Sequence, residues 1–263
     1  MYPYLFEWTI NGKTFRPPTF GALVALSFSV AYFLALFNAT TVGLDPRHIE
    51  NLFLVIFACS VIGSRLFHVA FEEPAFYWEH PEKIFAFWEG GYTFYGAVLL
   101  GLLGIYIYSQ RKKISYLECM DICSTSTALG LAIGRVGCFF AGCCWGKECH
   151  LPWAVRFTNP EAFNTTHGVP VHPTQLYEAF GAALIFLICQ KLIPKRKYNG
   201  QVFFISISLY AILRFIVEYF RGDAYRGFVF EGYLSYSQLV SVVILPFALI
   251  AMQIYSKQSK SKH

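Results

Sequence analysis

The stretch FGALVALSFSVAYFLALFN, residues 20–38, contains no charged residue. About 20 apolar residues in a helix cross the ~30 Å hydrocarbon core of a bilayer. Six more stretches of this kind follow, near residues 50–71, 92–109, 120–141, 175–193, 201–220 and 236–255. Only 14% of the 263 residues are charged, whereas soluble domains average about 25%. We therefore predict an all-α integral membrane protein with about seven transmembrane helices.

The segments outside these spans are short, with one exception. Residues 1–19 mix aromatic, charged and proline residues and lack the pattern of a signal peptide, so we expect an interfacial N-terminal segment. The membrane domain is predicted to cover residues 20–255. Within it, the long loop 142–174, which contains Phe163, is predicted to form a small extracytoplasmic cap, since long loops are often functional. Residues 256–263 form a basic tail.

Lysine and arginine residues are distributed unevenly between the two sides of the predicted bundle. With seven spans, all the basic clusters fall on one side: Arg111, Lys112 and Lys113; Lys191, Lys195, Arg196 and Lys197; Lys257, Lys260 and Lys262. Cytoplasmic loops carry the excess of basic residues. We therefore place the C-terminus in the cytoplasm and the N-terminus outside.

The fourth span, 120–141, is the least hydrophobic of the seven. Its hydroxyl residues are Ser124, Thr125, Ser126 and Thr127. Such hydroxyls can donate to carbonyls of their own helix or of a neighbouring one, so the segment is still predicted to span the bilayer.

Three arginines, Arg65, Arg135 and Arg214, lie within predicted spans at about the same depth, in the outer half of the bilayer. A charge at this depth costs from about 3 to more than 10 kcal/mol, and it marks a functional site by default. Arginine binds phosphate in a planar, bidentate manner, which suggests a phospholipid headgroup as the ligand. The alternative is structural: ion pairs of Arg214 with Glu218, and of Arg65 or Arg135 with Glu178.

Further polar residues belong to the same layer. Tyr210, Arg214 and Glu218 recur every four residues, so they share one face of a helix. The outer start of the fifth span supplies His172, Gln175 and Glu178. Gly137 and Gly142 bracket the end of the fourth span, where helix packing and anion binding by backbone N–H groups are both compatible with them.

Four of the eight cysteines, Cys138, Cys143, Cys144 and Cys149, cluster after the fourth span. Four interpretations remain open: a structural disulfide, packing, a thiolate nucleophile or redox centre, and a metal site. The spacing lacks paired CxxC motifs, and only His150 is adjacent.

Six segments, in order and spacing, resemble the bacterial prolipoprotein diacylglyceryl transferase family. They are GSRLFHVAF (63–71), WEGGYTFYGAVLLG (88–101), GRVGCFFAGCCWG (134–146), HPTQLYEA (172–179), YAILRFIVEYFRGD (210–223) and SYSQLVSV (235–242). The resemblance implies a seven-helix enzyme of the bacterial inner membrane. Such an enzyme moves diacylglycerol from phosphatidylglycerol to the lipobox cysteine of a lipoprotein precursor and releases glycerol phosphate.

The resemblance also implies residue roles. Arg135 and Arg214 would hold the phosphate, Glu218 would orient Arg214, and Tyr210 would hydrogen-bond the headgroup. The acceptor side departs from the family pattern. Tyr95 replaces the family histidine, Cys138 and Ala141 replace two asparagines, and Cys143 replaces a glutamate. Because tyrosine has a reference pKa near 10, His172 and His68 are candidate replacements for the base.

The resulting prediction is a transferase acting on a phospholipid and a thiol acceptor. The candidate catalytic residues are Arg135, Arg214, Tyr95, Cys138, Cys143 and His172. The candidate substrate-binding residues are Arg65, Tyr210, Glu218, Gly137, Gly146, Gln175, Glu178 and Arg221. No motif implies a metal or an organic cofactor, and no nucleic-acid partner is expected. The alternatives are a related enzyme with another donor or acceptor, a membrane thiol oxidoreductase, and a non-catalytic phospholipid-binding protein.

Overall fold

The computed structural model describes residues 3–10, 13–162, 166, 168–222, 227–229 and 233–260. Phe163 of the predicted cap and Lys262 of the predicted tail lie outside this part of the chain.

Seven long helices occupy the predicted spans. They are α1 (Thr19–Val42), α2 (Pro46–Phe67), α4 (Phe94–Lys112), α5 (Tyr116–Ala141), α6 (Thr174–Leu192), α7 (Gln201–Glu218) and α8 (Tyr236–Lys260), with a short α3 at Pro74–Glu79. Among the described residues, six helices are long and apolar enough to cross a membrane, and α4 is not one of them. The all-α membrane fold is confirmed, while the count of seven spans stays a prediction.

Three short hairpins lie between or before the helices. They pair β1 (Trp8–Ile10) with β2 (Lys13–Phe15), β3 (Val155–Arg156) with β4 (Pro170–Val171), and β5 (Phe228–Val229) with β6 (Leu234–Ser235). The sequence analysis predicted none of them, because strands of two or three residues have no readable period. The first hairpin lies in the predicted interfacial segment, and its Trp8 and Phe15 are about 60% exposed (61% and 63%).

The chain forms two compact units. One comprises Met1–Asn38 with Asp121–His263, and the other comprises Ala39–Met120. The first therefore contains α6, α7 and α8 with most of α1 and α5, and the second contains α2, α3 and α4.

In the second unit, α2 and α4 cross at two glycines. A Cβ added at Gly63 would lie 2.6 Å from the Cβ of Leu100, and one added at Gly96 would lie 2.6 Å from the Cβ of Phe67. Next to the crossing, Ser60 Oγ donates to the carbonyl of Ala97 at 3.2 Å. The two backbones approach this closely because neither glycine carries a side chain.

In the first unit, the hydroxyl groups of α5 are satisfied within the helix. Thr125 Oγ1 donates to the carbonyl of Asp121 at 3.0 Å, and Ser126 Oγ to that of Ile122 at 3.0 Å. The predicted bonding of these hydroxyls to their own helix is thereby confirmed.

The carboxylate of Asp121, on α5, caps the start of α7. It accepts from the backbone N–H groups of Gly200 and Phe203, each at 2.8 Å, and the residue is fully buried. The first N–H groups of a helix have no partner within it, so an acidic group from a neighbouring helix satisfies them. The sequence analysis gave Asp121 no role.

We expect Gly63→Ala and Gly96→Ala each to lower the free energy of unfolding by about 1–3 kcal/mol, because the added methyl group overpacks the crossing. The matched control is Gly134→Ala in α5, where an added Cβ meets nothing within 4 Å. Thermal unfolding of the detergent-purified variants measures the difference. Equal stability of all three variants would contradict the close crossing.

Candidate functional site

Glu178, in the second turn of α6, is shared by two arginines from neighbouring helices. Arg135 Nη2, from α5, lies 2.9 Å from Glu178 Oε1, and Arg214 Nη1, from α7, lies 3.7 Å from Glu178 Oε2. The carboxylate is buried, with 2% of the residue exposed. Two of the three arginines placed at one depth are therefore joined through a single acidic group.

Two residues of α7 complete this cluster. Tyr210 donates its hydroxyl hydrogen to Glu178 Oε1 at 2.9 Å, and Arg214 Nη2 contacts Glu218 Oε2 at 2.9 Å. The same Nη2 donates to Ser237 Oγ, on α8, at 3.0 Å. The predicted common face of Tyr210, Arg214 and Glu218 is confirmed, as are the predicted ion pairs Arg214–Glu218 and Arg135–Glu178.

Two guanidinium N–H groups in this cluster remain without an acceptor. Arg135 Nε and Arg214 Nη1 are buried and make no hydrogen bond within the described part of the chain. The side-chain oxygen Oε1 of Gln175 is also buried, and it accepts no hydrogen bond from the described residues. A buried polar group without a partner costs roughly 1–3 kcal/mol. The ion pairs therefore use only part of the donor capacity of the two arginines, and an anion could use the remainder.

Three of the four clustered cysteines lie beside Arg135. The Sγ atoms of Cys138, Cys143 and Cys144 all lie within 4.8 Å of one another. The chain returns on itself here because Gly142 and Cys144 adopt positive φ angles of 77° and 60°. A residue with a Cβ rarely adopts such an angle, so the turn is held by other contacts.

The start of α6 supplies those contacts. Gln175 Nε2 donates to the carbonyl of Cys143 at 2.6 Å, and Thr174 Oγ1 donates to the carbonyl of Cys144 at 2.7 Å. Both side chains are almost fully buried. The structure thus gives Gln175 the role of a positioning group for the cysteine turn.

The thiols interact electrostatically with one another and with the arginines. Hydrogen bonds with Cys138 and Cys143, together with the charges of Arg221 and Arg135, lower the pKa of the Cys144 thiol below its ordinary value. Hydrogen bonds with Cys138 and Cys144, together with burial, raise the pKa of the Cys143 thiol.

The structure bears on the open interpretations of the cysteines. All eight cysteines lie in the described residues, and none of them forms a disulfide bond there. Cys149 lies outside the three-thiol group. It is buried, and its sulfur accepts from the backbone N–H of Leu151 at 3.4 Å. The four-cysteine cluster expected from the sequence is therefore a group of three.

Of the two interpretations of Gly137 and Gly142, the contacts favour a role in the helix itself over anion binding. Gly137 lies inside α5, and a Cβ there would lie 3.3 Å from Leu23, on α1. The N–H of Gly142 donates to the carbonyl of Cys138 at 3.0 Å as the helix ends. Gly137 permits helix packing, and Gly142 terminates the helix.

Gly146, predicted to bind substrate, is also enclosed by protein. Its N–H donates to the carbonyl of His172 at 3.0 Å, and an added Cβ would lie 2.7 Å from the carbonyl of Phe220. Gly146 forms an isolated backbone bridge with Arg221, which is buried. These contacts indicate that Gly146 joins the loop after α5 to the end of α7, a structural role.

His172 belongs to an aromatic group on the same loop. Its Nδ1 lies 3.0 Å from the hydroxyl of Tyr177, which also accepts from Trp153 Nε1 at 2.8 Å. The imidazole also packs edge-on against Phe220. Within the described residues it makes no hydrogen bond to a cysteine of the chain, and its role as a base for the acceptor thiol stays a prediction.

In the second unit, Arg65 is surrounded by backbone carbonyls. Its guanidinium donates to the carbonyls of Ile84 at 3.0 Å and Gly91 at 3.2 Å, and also to that of Gly90. It lies over the ring of Tyr77, 5.1 Å from the centroid. Carbonyls of the loop after α3 therefore occupy these donors, and the substrate-binding role of Arg65 stays a prediction.

Two further candidates lie in this unit. Tyr95, in the first turn of α4, is 48% exposed. His68 Nδ1 lies 2.6 Å from Glu72 Oε2, and Thr93 Oγ1 donates to Glu72 Oε1 at 2.8 Å. The sequence analysis missed Glu72, although its position four residues after His68 was a readable signal.

Comparisons with known proteins agree with the resemblance seen in the sequence. The family model described as "Prolipoprotein diacylglyceryl transferase" matches residues 9–254. Similar proteins named "Phosphatidylglycerol--prolipoprotein diacylglyceryl transferase" occur in Geobacter sulfurreducens (36% identity, covering 84% of both chains), Finegoldia magna (33%, covering 91% of both) and Clostridium tetani (32%, covering 89% of this chain and 92% of the relative).

We expect Glu178→Gln to lower the free energy of unfolding by about 3–5 kcal/mol, because it leaves two buried arginines without their shared carboxylate. The matched control is Glu161→Gln, which removes an exposed carboxylate 3.0 Å from Arg16 and should cost less than about 1 kcal/mol. Thermal unfolding in detergent distinguishes the two. A loss no larger for Glu178→Gln than for the control would show that the buried cluster contributes nothing to stability.

Proposed function

Because the chain belongs to the prolipoprotein diacylglyceryl transferase family, we propose that it transfers the diacylglyceryl group of phosphatidylglycerol to the cysteine thiol of a lipoprotein precursor. This is the activity named for the relatives in Geobacter sulfurreducens, Finegoldia magna and Clostridium tetani. The match covers most of the chain, so no large part of a relative is missing from the comparison.

The proposed reaction is a nucleophilic displacement at carbon. The acceptor thiol loses its proton, and its sulfur attacks the diacylglycerol carbon that carries the phosphate ester. A C–S bond forms, the C–O bond breaks, and the electron pair leaves on the oxygen of glycerol phosphate. Donors placed to receive that growing charge lower the barrier.

The observation that carries the proposal is that two buried guanidinium nitrogens, Arg135 Nε and Arg214 Nη1, make no hydrogen bond in the part of the chain that the structure describes; the latter lies only at ion-pair distance, 3.7 Å, from Glu178. They belong to guanidinium groups that approach Glu178 from two different helices. A phosphate has oxygens enough to accept from both arginines at once. We therefore assign phosphate binding to Arg135 and Arg214, and we assign their positioning to Glu178, Glu218 and Tyr210.

The acceptor side is where this chain departs from its family. Tyr95, Cys138 and Cys143 stand where the family pattern has histidine, asparagine and glutamate. We propose that Arg135 and Arg214 still bind the phosphate. The acceptor thiol is then bound and deprotonated by groups other than those of the family pattern. A cysteine-based oxidoreductase would need no arginine pair, so the geometry gives that alternative less support.

We expect Arg135→Lys and Arg214→Lys each to lower kcat/KM by about 100- to 1000-fold, because lysine keeps the charge but loses the planar set of donors. The assay follows the mass of a lipobox peptide incubated with the enzyme in phosphatidylglycerol micelles. Arg111→Lys, in the last turn of α4, is the control and should retain full activity.

The outcomes of this assay separate the candidate functions. If Arg135→Lys transfers the diacylglyceryl group as fast as the wild type and is equally stable to heat, Arg135 does not bind the phosphate as proposed. Bound phosphatidylglycerol without any modified peptide in the wild type would instead favour a non-catalytic lipid-binding protein.

Members of this family are multi-pass enzymes of the bacterial inner membrane, and the six apolar helices of this chain fit that location. We propose further that the N-terminus is outside and that the basic tail is cytoplasmic, because the basic clusters follow α4, α6 and α8. The arginine cluster then lies towards the outer leaflet.

We expect a green fluorescent protein fused after residue 263 to fluoresce, and alkaline phosphatase fused at the same place to be inactive, because the C-terminus is cytoplasmic in this orientation. The two fusions expressed in bacterial cells provide the measurement, with total fusion protein quantified on a blot as the control. Active alkaline phosphatase at the C-terminus would reverse the orientation.

A further inference from the structure

The three-thiol group of Cys138, Cys143 and Cys144 has the composition of a metal site with an open position. Catalytic zinc sites use three protein ligands and leave the fourth position for water or substrate, whereas structural sites are closed by four. The three Sγ atoms here lie within 4.8 Å of one another, and Cys149 is not among them. With zinc–sulfur bonds of about 2.3 Å, tetrahedral ligands lie about 3.8 Å apart. Closing the site therefore requires sulfur movements of about 1 Å.

Two side chains at the start of α6 hold the turn that carries the thiols by hydrogen bonds to its backbone. Gln175 and Thr174 donate to the carbonyls of Cys143 and Cys144, and the positive φ of Cys144 fixes the direction of its side chain. Outer-shell hydrogen bonds of this kind orient the ligands of metal sites. Gln175 and Thr174 thus bond the backbone of the turn and not its thiols; the Cys143 thiol donates to the carbonyl of Cys138 at 3.7 Å, a contact that metal binding would replace.

The position of the group relates it to the reaction. Cys138 lies one helical turn after Arg135, and Arg135 interacts electrostatically with both Cys138 and Cys144. The thiols therefore lie next to Arg135, one of the two arginines proposed to bind the phosphate. Two of them, Cys138 and Cys143, replace the asparagine and glutamate that the family pattern has at these positions.

We propose that Cys138, Cys143 and Cys144 bind one thiophilic divalent ion of the zinc type, and that the thiol of the acceptor cysteine occupies its fourth position. This inference rests on the proposed transferase function. Cysteine sulfur is the ligand type that such ions prefer, and a thiol that coordinates them is deprotonated outright. The ion therefore supplies what the absent family histidine would supply, a nucleophilic thiolate at neutral pH.

The step balances with the groups named. The acceptor thiol releases its proton to solvent on binding the ion. Its sulfur then attacks the diacylglycerol carbon, the C–S bond forms, and the C–O pair leaves on the phosphate held by Arg135 and Arg214. The product is a neutral thioether, which is a weak ligand and leaves the ion.

A direct covalent role for the three cysteines fits the chemistry less well. A diacylglyceryl group attached to Cys138, Cys143 or Cys144 would be a thioether, and a second transfer would have to expel a thiolate from carbon. A covalent intermediate helps only where each of its two steps is easier than the direct reaction.

The first experiment tests metal binding without activity. The detergent-purified protein is reduced with a phosphine, treated with a chelator, and titrated with Co²⁺, whose thiolate complexes absorb by charge transfer. We expect one Co²⁺ per chain and an affinity at least about 10-fold weaker in Cys138→Ser, Cys143→Ser and Cys144→Ser. Cys149→Ser, which changes a cysteine of the same loop outside the group, should bind as the wild type does.

The second experiment tests the open position. A lipobox peptide added to the Co²⁺-loaded protein should strengthen the charge-transfer band, and the same peptide with serine in place of cysteine should not. Zn²⁺ should displace Co²⁺ and support transfer. Chelator-treated enzyme should lose activity and regain it with Zn²⁺.

Three results would overturn the proposal: no Co²⁺ binding at micromolar concentration, full transfer by the chelator-treated enzyme, or a disulfide found between two of the three cysteines in the active enzyme. Each leaves the transferase function standing if Arg135→Lys still abolishes transfer. Conversely, Co²⁺ binding with a peptide response but no product would retain the metal site and reject the proposed transferase function.

Discussion

The sharing of one buried carboxylate by two arginines is the constraint on which the first unit depends. A buried guanidinium needs an acidic partner, because an unpaired charge in an apolar environment is strongly destabilising. Glu178 is that partner for Arg135 and for Arg214 at the same time. This requirement fixes α5, α6 and α7 relative to one another at a single level. The positions of Tyr210 and Glu218 follow from it, because both lie on the α7 face that meets this level.

Much of this arrangement was predictable because a membrane limits the available choices. Apolar length located the seven long helices, and the four-residue spacing of Tyr210, Arg214 and Glu218 placed them on one face. The spacing of polar residues does not reveal which partner a buried charge takes. The sequence analysis predicted the same depth for Arg65 and Arg135, yet Arg65 donates to loop carbonyls and Arg135 pairs with a carboxylate. That difference depends on the path of the loop after α3, which no periodic pattern encodes.

Other features escaped prediction for reasons that are also local. Sequence spacing placed Cys149 with the other three thiols, but the positive φ of Gly142 and Cys144 turns the chain so that only three meet. The predicted end of the fourth span at residue 141 agrees with the end of α5 at Ala141, but the sequence did not separate the roles of the two glycines: Gly137 packs inside α5, and Gly142 ends it. Backbone reversals of one or two residues decide such cases, and they leave only a glycine as a trace in the sequence.

The cap that Asp121 places on α7 has a consequence for how the protein is made. α5 is the least hydrophobic of the six apolar helices found in the described part of the chain, and it carries a fully buried carboxylate in its second turn. The backbone groups that satisfy this carboxylate belong to Gly200 and Phe203, about 80 residues further along the chain. During synthesis α5 is therefore made well before α7, and until then its carboxylate lacks the two N–H groups that it accepts from in the folded protein. The last contacts of α5 are thus completed only when the C-terminal third of the sequence is being translated.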